Sequence, residues 1–409
     1  MMSRPRVLLL GIDTPIGLAI VRELAQHGVE VHGIARDRAA LGLYSRYLAK
    51  GYFRESSREG VARQVVALAQ VLEPCHVMTI SEGDIALLND HRSLFGQIRL
   101  LIPAAENMAW VLDKAKTYAI AEPLGIAVPK SFEFRSMDDW DMLVPRLHFP
   151  VVLKWSDPNA VAAKLTAAGL NLEKVIYCHN PVDLHSAVTP YIAIGEFPLI
   201  QEYCPGYGLG QFIFMHKGDA LLTFQHRRVS EWPPEGGFAS TCRAVPLTEH
   251  RALMEKSIAL LRSIGWEGAG MVEYRFDSLT DQAVLMEING RFWGSLPLAY
   301  HCGAAFAWLT YAVHGNDERP GIPKSREDLR CRFMVPETKR LLRILFQQNL
   351  IQDRSLHFSR IQEFARYIAD FIRPGTRYYV FSFSDPMPFF ADITLSLFSY
   401  LRAAFGRLL

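Results

Sequence analysis

The fold of this 409-residue sequence is indicated most clearly by the stretch Met286-Glu-Ile-Asn-Gly-Arg-Phe-Trp-Gly-Ser295. Glu287 and Asn289 alternate with apolar residues, and this period of two predicts a β-strand with both side chains on one face. Glu273 lies in an upstream segment that we expect to pair with this strand as a hairpin. Two carboxylates and an amide oxygen on one face suit Mg²⁺, which prefers oxygen ligands. We therefore predict a metal site of Glu273, Glu287 and Asn289; the alternative is a solvated face with ordinary ion pairs.

Arg291 follows the metal-binding pattern two residues later and belongs to the same predicted site. Gly290 and Gly294 flank the bulky pair Phe292-Trp293, which is not typical of a routine surface strand. A guanidinium held at such a position would stabilise a developing oxyanion. We expect Arg291 to act in this way.

Two lysines upstream are candidates for binding an anion. Lys154 ends the apolar segment Val151–Lys154, where a lysine is costly unless it has an anionic partner such as phosphate or reaches water; the sequence leaves these alternatives open. Lys114 follows Asp113 inside a predicted helix that ends near Gly125, and by itself it indicates a surface ion pair.

A third pattern is the segment Gln201-Glu-Tyr-Cys204, which precedes Pro205-Gly206. An apolar strand that turns polar and then breaks is typical of a hinge between domains. Such a hinge offers one carbonyl and one N–H to a flat heterocycle.

Two further positions indicate how a substrate is held. Arg227 and Arg228 end a predicted strand, and residues 230–240, which are rich in proline and glycine, are expected to form a loop after it. Alternation points only one of the two arginines inward. We prefer Arg228, which would pair with a carboxylate, over a basic strand end on the surface. Ser81 is expected to cap a helix, and Glu82 beside it is a candidate for holding an amine.

The first hundred residues alternate short apolar strands with amphipathic helices, which predicts an open parallel sheet with residues 101–103 as its last strand. The segment Gly11-Ile-Asp-Thr-Pro-Ile-Gly17 follows the first strand, where a dinucleotide fingerprint would stand. It lacks the middle glycine that lets the backbone approach a pyrophosphate. We therefore interpret it as a tight turn and disfavour NAD binding.

Composition excludes several classes of protein. Half of the residues are hydrophobic, 21% are charged and the formal net charge is +2, which is globular and argues against nucleic acid as a partner. The charge is uneven: residues 320–409 contain 14 Lys+Arg and 8 Asp+Glu, a net of +6. Six irregularly spaced cysteines argue against a disulfide scaffold or a structural zinc site and favour the cytoplasm. No apolar stretch is long enough to predict a spanning helix.

In their order along the chain, these motifs resemble the ATP-grasp superfamily over roughly residues 1–315. The similarity is greatest to carboxylate–amine ligases of the carbamoyl phosphate synthetase and biotin carboxylase type. It implies an α/β and α+β protein with three parts. These are a parallel α/β pre-ATP-grasp domain (1–104), an ATP-grasp domain with antiparallel sheets (105–317, lid about 130–200), and a helical, basic C-terminal region (318–409).

The resemblance also implies a function and roles for the candidate residues. Mg·ATP, with Mn²⁺ as the alternative metal, would phosphorylate a small carboxylate, and an amine would then capture the acyl phosphate. The metal would be held by Glu273, Glu287 and Asn289, and Arg291 would steady the acyl phosphate. Lys114 and Lys154 would contact the ATP phosphates, and Gln201 the adenine amino group. The ring edge would be held by the backbone of Glu202, Tyr203 and Cys204.

Two segments depart from the pattern of the superfamily. Relatives have a glycine-rich loop after the lysine strand, whereas residues 155–164 contain no glycine. Relatives often have an acid after the hinge for the ribose, whereas residues 206–211 have none. Two other functions therefore stay open: a scaffold that binds nucleotide with little turnover, and an NAD-linked oxidoreductase.

The sequence of the C-terminal region, residues 318–409, contains no motif that indicates a role in the reaction. Its apolar spacing predicts helices over residues 338–346, 360–372 and 389–405. We expect these helices to dock on the rest of the chain, with a homodimer contact or an anionic membrane surface as alternatives.

Overall fold

The computed structural model describes residues 5–156, 158–173 and 175–405. The chain begins with a four-stranded parallel sheet in the order β3-β2-β1-β4. Its strands are β1 Arg6–Leu10, β2 Glu30–Ala35, β3 Leu48–Phe53 and β4 Cys75–Thr79, and its helices are α1 Pro15–Gln26, α2 Arg58–Val71 and α3 Glu82–Asp90. The predicted parallel sheet is confirmed.

Two details of this sheet differ from the sequence expectation. Strand β3 was not predicted, because Lys50 and Gly51 interrupt its apolar pattern. Residues 101–103 were expected to form the last strand, but the structure has only a single bridge there, between Leu100 and Val77. This segment ends in Pro103, which has no N–H to donate to a strand ladder.

The glycines of the first turn serve packing. Gly11 has φ +96°, and a Cβ atom at Gly17 would lie 2.3 Å from the carbonyl oxygen of Gly11. Both glycines are therefore needed to bring α1 close to the end of β1. This agrees with the tight turn expected from the missing middle glycine.

A second sheet follows, after two consecutive helices, α4 Ala105–Leu112 and α5 Lys114–Ala121. It is antiparallel with the order β5-β8-β6-β7. Its elements are β5 Ser131–Phe132, α6 Trp140–Leu143, β6 Val151–Lys154, α7 Pro158–Ala167, β7 Ile176–Cys178, α8 Pro181–Val188 and β8 Leu199–Glu202. Apolar side chains such as Leu153, Leu184 and Ile200 form a separate small core here.

The largest sheet has seven strands in the order β13-β12-β9-β10-β11-β14-β15. Its strands are β9 Tyr207–His216, β10 Asp219–Trp232, β11 Phe238–Ala244, β12 Gly268–Asp277, β13 Gln282–Asn289, β14 Arg330–Arg332 and β15 Thr376–Tyr378. The associated helices are α9 Arg251–Ser263, α10 Leu296–His301 and α11 Phe306–Leu309, followed by a π-helical turn, Thr310–Gly315. Alternation along β9 places Phe212 in one core and Ile213 in another, so both faces of the sheet are covered.

The C-terminal region is helical, as predicted, but it also completes the large sheet. Its helices are α12 Met334–Phe346, α13 Arg360–Ile372 and α14 Met387–Phe405. The short strands β14 and β15 were not predicted, and β14 pairs with β11. Asp385 is buried and accepts hydrogen bonds from Arg22 Nε (3.0 Å) and Ser45 Oγ (2.7 Å) of the first domain. The region is therefore fixed to the body at both ends.

All six cysteines are free thiols. Within the described residues, none of the helices combines the length and the apolarity that crossing a membrane requires.

Candidate active site

The predicted metal ligands lie on the edge hairpin of the large sheet. Strands β12 and β13 are antiparallel, and their register places Glu273 directly opposite Glu287 and Met271 opposite Asn289. Directly paired residues share a face of the sheet. Asn289 Nδ2 donates a hydrogen bond to Glu287 Oε1 at 3.2 Å. The structure therefore brings the three predicted ligands to one face.

Two lysines approach these carboxylates from other elements. Lys114 begins α5, and its Nζ lies 4.0 Å from Glu287 Oε2. Asp113, expected to pair with Lys114, instead caps α5 by accepting from Lys116 N at 3.1 Å and pairs with the Lys116 side chain. The surface pair expected from the sequence is thus formed by the next lysine along the helix.

Lys154, the last residue of β6, is the second lysine. The pKa of its ammonium group is lowered to about 8, mainly by burial and secondly by the nearby positive charge of Lys114. Glu287 and Glu273 act in the opposite direction. A buried ammonium group with lowered pKa is poised to gain from an anionic partner.

Lys114, Lys154, Glu273 and Glu287 line one cleft of about 350 Å³ between the second sheet and the large sheet. Asn289 is buried and is not among the residues that line this cleft. Apolar side chains, among them Val152, Leu172 and Met286, form part of its wall. Its charged lining residues are Lys114, Lys154, Glu173, Glu202, Arg228, Glu231, Glu235, Glu273, Arg275 and Glu287. A cavity of this volume, lined by both apolar and charged side chains, fits a ligand of nucleotide size.

Arg228 lies at the floor of the cleft, between carboxylates. Its Nη2 is 2.6 Å from Glu273 Oε2, and its Nη1 is 3.1 Å from Glu231 Oε1. Burial alone would lower the pKa of Arg228, but the two carboxylates outweigh it and raise the pKa. Arg227 points the other way and stacks over the Tyr207 ring. The preference for Arg228 as the inward residue therefore agrees with the structure.

Glu231 and Arg275 were not predicted as site residues. The sequence expectation placed residues 230–240 in a loop, but β10 continues to Trp232. Register shifts between Arg228 and Glu231 place both side chains on the cleft side. Arg275 follows Glu273 by two residues on the same strand face, and its Nη1 lies 3.6 Å from Glu231 Oε2. Period-two alternation from Glu273 would have found Arg275.

The hinge segment contributes residues 202–204 to the cleft, but not the side chain of Gln201. Gln201 is buried, and its Nε2 donates to Ser131 Oγ at 3.0 Å. Tyr203 OH donates to Asp353 Oδ2 at 2.9 Å, so this tyrosine joins the hinge to the C-terminal region. Burial raises the pKa of the Cys204 thiol to about 11, which keeps this thiol neutral.

Arg291 is not among the residues that line this cleft. Its Nε donates to Glu82 Oε1 at 3.2 Å, and its Nη1 to the carbonyl oxygen of Phe292. Glu82 is the first residue of α3, and Ser81 caps that helix as expected by accepting from Asp84 N. Arg291 therefore joins the end of the β12–β13 hairpin to the first domain.

The segment after β6 is a helix where relatives would have a glycine-rich loop. Helix α7, Pro158–Ala167, is rich in alanine, a strong helix former. Asp157 lies outside the described residues. Lys164 forms an ion pair with Glu196 across this part of the lid.

Comparison with known proteins identifies the fold. Residues 241–305 match the sequence family described as the ATP-binding domain of the carbamoyl-phosphate synthase L chain. The biotin carboxylase domain of Hydrogenobacter thermophilus 2-oxoglutarate carboxylase, solved with MgADP, ADP and bicarbonate, has a similar structure. Its TM-score is 0.60 at 13% identity, covering 81% of this chain and 74% of that one.

The chain has the ATP-grasp fold. An L-amino acid ligase from Bacillus licheniformis is also similar, with a TM-score of 0.56 and 16% identity over 77% of this chain and 75% of that one. Rhizobium etli pyruvate carboxylase gives a TM-score of 0.60 and 14% identity over 77% of this chain, but this covers only 30% of that longer chain. Comparison with curated proteins gives no match. The resemblance to ATP-grasp proteins seen in the sequence is thereby confirmed.

Proposed function

We propose that this ATP-grasp chain is an ATP-dependent ligase that activates a small carboxylate and joins it to an amine. One observation carries the proposal: the cross-strand pair Glu273–Glu287 faces Lys114 and Lys154 in a single cleft. Two carboxylates opposite each other repel unless cations lie between or beside them. Lysines and a divalent metal around such a pair form the charge pattern that binds a nucleoside triphosphate.

The donor set suits the proposed metal. Glu273, Glu287 and Asn289 supply oxygens, which Mg²⁺ prefers and Mn²⁺ also accepts. Bound there, the metal would neutralise charge on the phosphates. The Glu273 carboxylate also holds Arg228, so metal and guanidinium would share it.

The nucleotide would lie along the hinge. Val152, Leu172 and Met286 provide apolar surface for the adenine, and the backbone of residues 202–204 provides its polar edge. Gln201 would have to leave Ser131 to reach the adenine amino group. Lys114 and Lys154 would hold the phosphates.

The reaction needs positioning and charge neutralisation more than a nucleophilic side chain. A substrate carboxylate oxygen attacks the γ-phosphorus, and the bond to the β–γ bridging oxygen breaks to release ADP. The amine nitrogen then attacks the acyl carbon, phosphate leaves with the bonding electron pair, and the nitrogen loses a proton. Arg228 would hold the carboxylate, and Arg291, released from Glu82, would steady the acyl phosphate.

Other properties remain part of the proposal. The similarity to an L-amino acid ligase supports the step in which an amine attacks. The proposed domains remain residues 1–104, 105–317 and 318–409. We place the protein in the cytoplasm, where its six free cysteines would stay reduced.

The direct test is ADP release from Mg·ATP with pooled carboxylates and amines. We expect continuous ADP release only when a pool of carboxylates and a pool of amines are both present. Glu287→Gln should lower it about 100-fold or more, since one ligand and one charge are lost, while Glu255→Gln, an exposed acid on α9, should leave it unchanged. Release by Glu287→Gln at the wild-type rate would refute the site assignment.

One observation favours a second candidate, a nucleotide-binding scaffold. Helix α7 occupies the place of the phosphate-covering loop, so the cleft would close differently from that of a glycine-rich relative. A scaffold would bind Mg·ADP but release no ADP with any acid and amine pair. An NAD-linked oxidoreductase is disfavoured, because the turn between β1 and α1 lacks the middle glycine that lets the backbone approach a pyrophosphate.

A further inference from the structure

Helix α13, Arg360–Ile372, exposes its apolar face to solvent. Five large apolar side chains between 48% and 84% exposed recur along it at helical spacing, so they lie on one face: Ile361, Phe364, Ile368, Phe371 and Ile372. A helix at the surface of a globular protein ordinarily turns such a face toward the core. Helix α13 does the reverse.

The polar face of α13 is the one that packs inward. Glu363 accepts from Arg340 of α12 at 2.7 Å, and Asp370, which is 2% exposed, accepts from Arg330 of β14 at 2.9 Å. Removing one member of such pairs would leave a buried charge unpaired. The outward orientation of the apolar face is therefore fixed by specific contacts.

All exposed ionisable residues in the segment that contains this face are basic; two of them, Arg354 and Arg373, pair with Asp183 at 3.7 Å and with Asp370 at 3.1 Å. The exposed ionisable residues between 354 and 377 are Arg354, His357, Arg360, Arg373 and Arg377. The acids of this stretch, Glu363 and Asp370, are turned inside. An exposed apolar face bordered by arginines matches the surface of an anionic bilayer, where acyl chains receive the apolar groups and headgroups receive the cations.

We propose that α13 and its flanking arginines bind the surface of an anionic membrane, with the helix lying in the plane of the interface. Helix α14 carries a second exposed apolar stripe, with Phe390 55%, Ile393 42%, Leu397 58% and Phe398 70% exposed. Binding of this kind would need no spanning segment.

Vesicle co-sedimentation of the full chain tests the proposal. Vesicles of phosphatidylcholine with about one third phosphatidylglycerol should bind the protein at low salt, whereas phosphatidylcholine alone should bind it weakly. The double variant Ile361→Glu/Ile372→Glu should weaken binding about tenfold or more, because both positions are over 80% exposed and lose apolar contact. Leu279→Glu, 96% exposed in the β12–β13 turn, is the matched control and should not change binding.

Two results would overturn the proposal. The first is that the wild-type protein does not bind the anionic vesicles at low salt, or that the double variant binds them as strongly as the wild type. The second is sedimentation velocity showing a wild-type dimer that the double variant dissociates, which would make the face an interface between two copies. Circular dichroism of the variants checks that they are folded.

A separate cluster points to a metal site outside the cleft. Glu267 Oε2 lies 3.4 Å from His216 Nδ1, at the end of β9, and 3.7 Å from His314 Nε2, in the π-helical turn. The three ligand atoms lie within 4.8 Å of one another. π-Helical turns are rare and occur frequently at functional sites.

The contacts around the cluster leave these atoms facing one another. His216 Nδ1 and His314 Nε2 are both buried, and neither atom has a hydrogen-bond partner within the described part of the chain. Lys217 N donates to Glu267 Oε1 at 2.7 Å, which fixes the carboxylate and turns Oε2 toward the rings. Gly268 lies against the His314 ring, where an added Cβ would approach within 3.2 Å.

The geometry points to a zinc site formed by His216, Glu267 and His314, with water as the fourth ligand. Tetrahedral ligands at the usual Zn–N and Zn–O lengths lie roughly 3.3–3.4 Å apart, close to the two N···O distances here. The ion would fasten the β9 end to the turn that leads into the C-terminal region.

Metal titration of the apo full chain tests this site. Zn²⁺ should bind at one ion per chain and raise the melting temperature, and Co²⁺ should give the intense visible absorption of a tetrahedral site. Glu267→Gln and His314→Gln should weaken binding about 100-fold or more, whereas Glu318→Gln, an exposed acid nearby, should not. Glu287→Gln should also keep the site, which separates it from the cleft. Binding that survives Glu267→Gln, or binding that is lost only in Glu287→Gln, would contradict the assignment.

Discussion

At the scale of single residues, the unusual group is Lys154. Its ammonium group is buried beside a second lysine, which lowers its pKa to about 8. Phosphates would restore the charged form, since an opposite charge at short range raises the pKa of an amine. The group is therefore a reporter of anion binding.

We expect Mg·ADP binding to take up a proton above pH 8. At pH 8.5 part of the Lys154 population is neutral and gains a proton when phosphates bind, whereas at pH 6.5 it is already charged. Calorimetry in two buffers of different ionisation enthalpy measures the uptake. Lys154→Met should abolish it, and equal heats in both buffers at pH 8.5 for the wild type would contradict the pKa.

Sequence patterns located the two lysines, Arg228 and the carboxylate pair of the cleft, but not all of their partners. Alternation along β13 and an antiparallel hairpin suffice to bring Glu273, Glu287 and Asn289 together. The same reasoning placed Arg291 with them, but its pairing with Glu82 depends on how two domains meet, which no local pattern encodes. Glu231 was missed because it depends on strand irregularities within a segment rich in proline and glycine.

At the scale of elements, long periodic segments were predicted well and short or irregular ones were not. Helix α13 was expected over 360–372, and this is what the structure has. Strands β14 and β15 have three residues each and exist because a neighbouring strand offers its edge, which is a tertiary effect. Helix α7 stands where the resemblance led us to look for a loop, because its alanines favour helix.

Helix α1 contains a buried acid with a testable effect. Glu23 accepts from Trp308 N at 2.7 Å, and burial raises its pKa from 4.5 to about 8. Between these values the unfolded chain loses the proton and the folded chain keeps it, so stability falls as pH rises from about 4.5 to 8.

Glu23→Gln should remove this dependence. The amide is neutral at every pH, so we expect the variant to be more stable than wild type at pH 8 by on the order of 1–3 kcal/mol and similar to it at pH 5. Urea unfolding at the two pH values measures this. If the free energy of unfolding of the variant depends on pH as it does in the wild type, Glu23 is ionised in the folded state.

At the scale of the whole molecule, a buried ion pair between Arg22 and Asp385 joins the C-terminal region to the first domain. Arg22 and Asp385 are each no more than 2% exposed, and Arg22 also donates to the carbonyl oxygen of Val380. The two residues are 363 positions apart in the sequence, so their contact joins two regions that we expected to be separate domains.

Asp385→Ala should destabilise the protein by about 3–5 kcal/mol, because Arg22 would stay buried without its carboxylate. Thermal unfolding and the rate of limited proteolysis after residue 320 measure the effect. Asp328→Ala, which breaks the exposed pair with Arg326, should change neither. A small effect of Asp385→Ala would mean that the C-terminal region is held mainly by its strands.

The central claim is that the cleft between β6 and the β12–β13 hairpin binds Mg-nucleotide through its lysines and carboxylates. Calorimetric titration of the full chain with ADP, with and without Mg²⁺, tests it most directly. We predict binding that Mg²⁺ strengthens, loss of that strengthening in Glu287→Gln, loss of affinity in Lys154→Met, and no change in Glu255→Gln. Magnesium-dependent affinity that is the same in all four proteins would contradict the account.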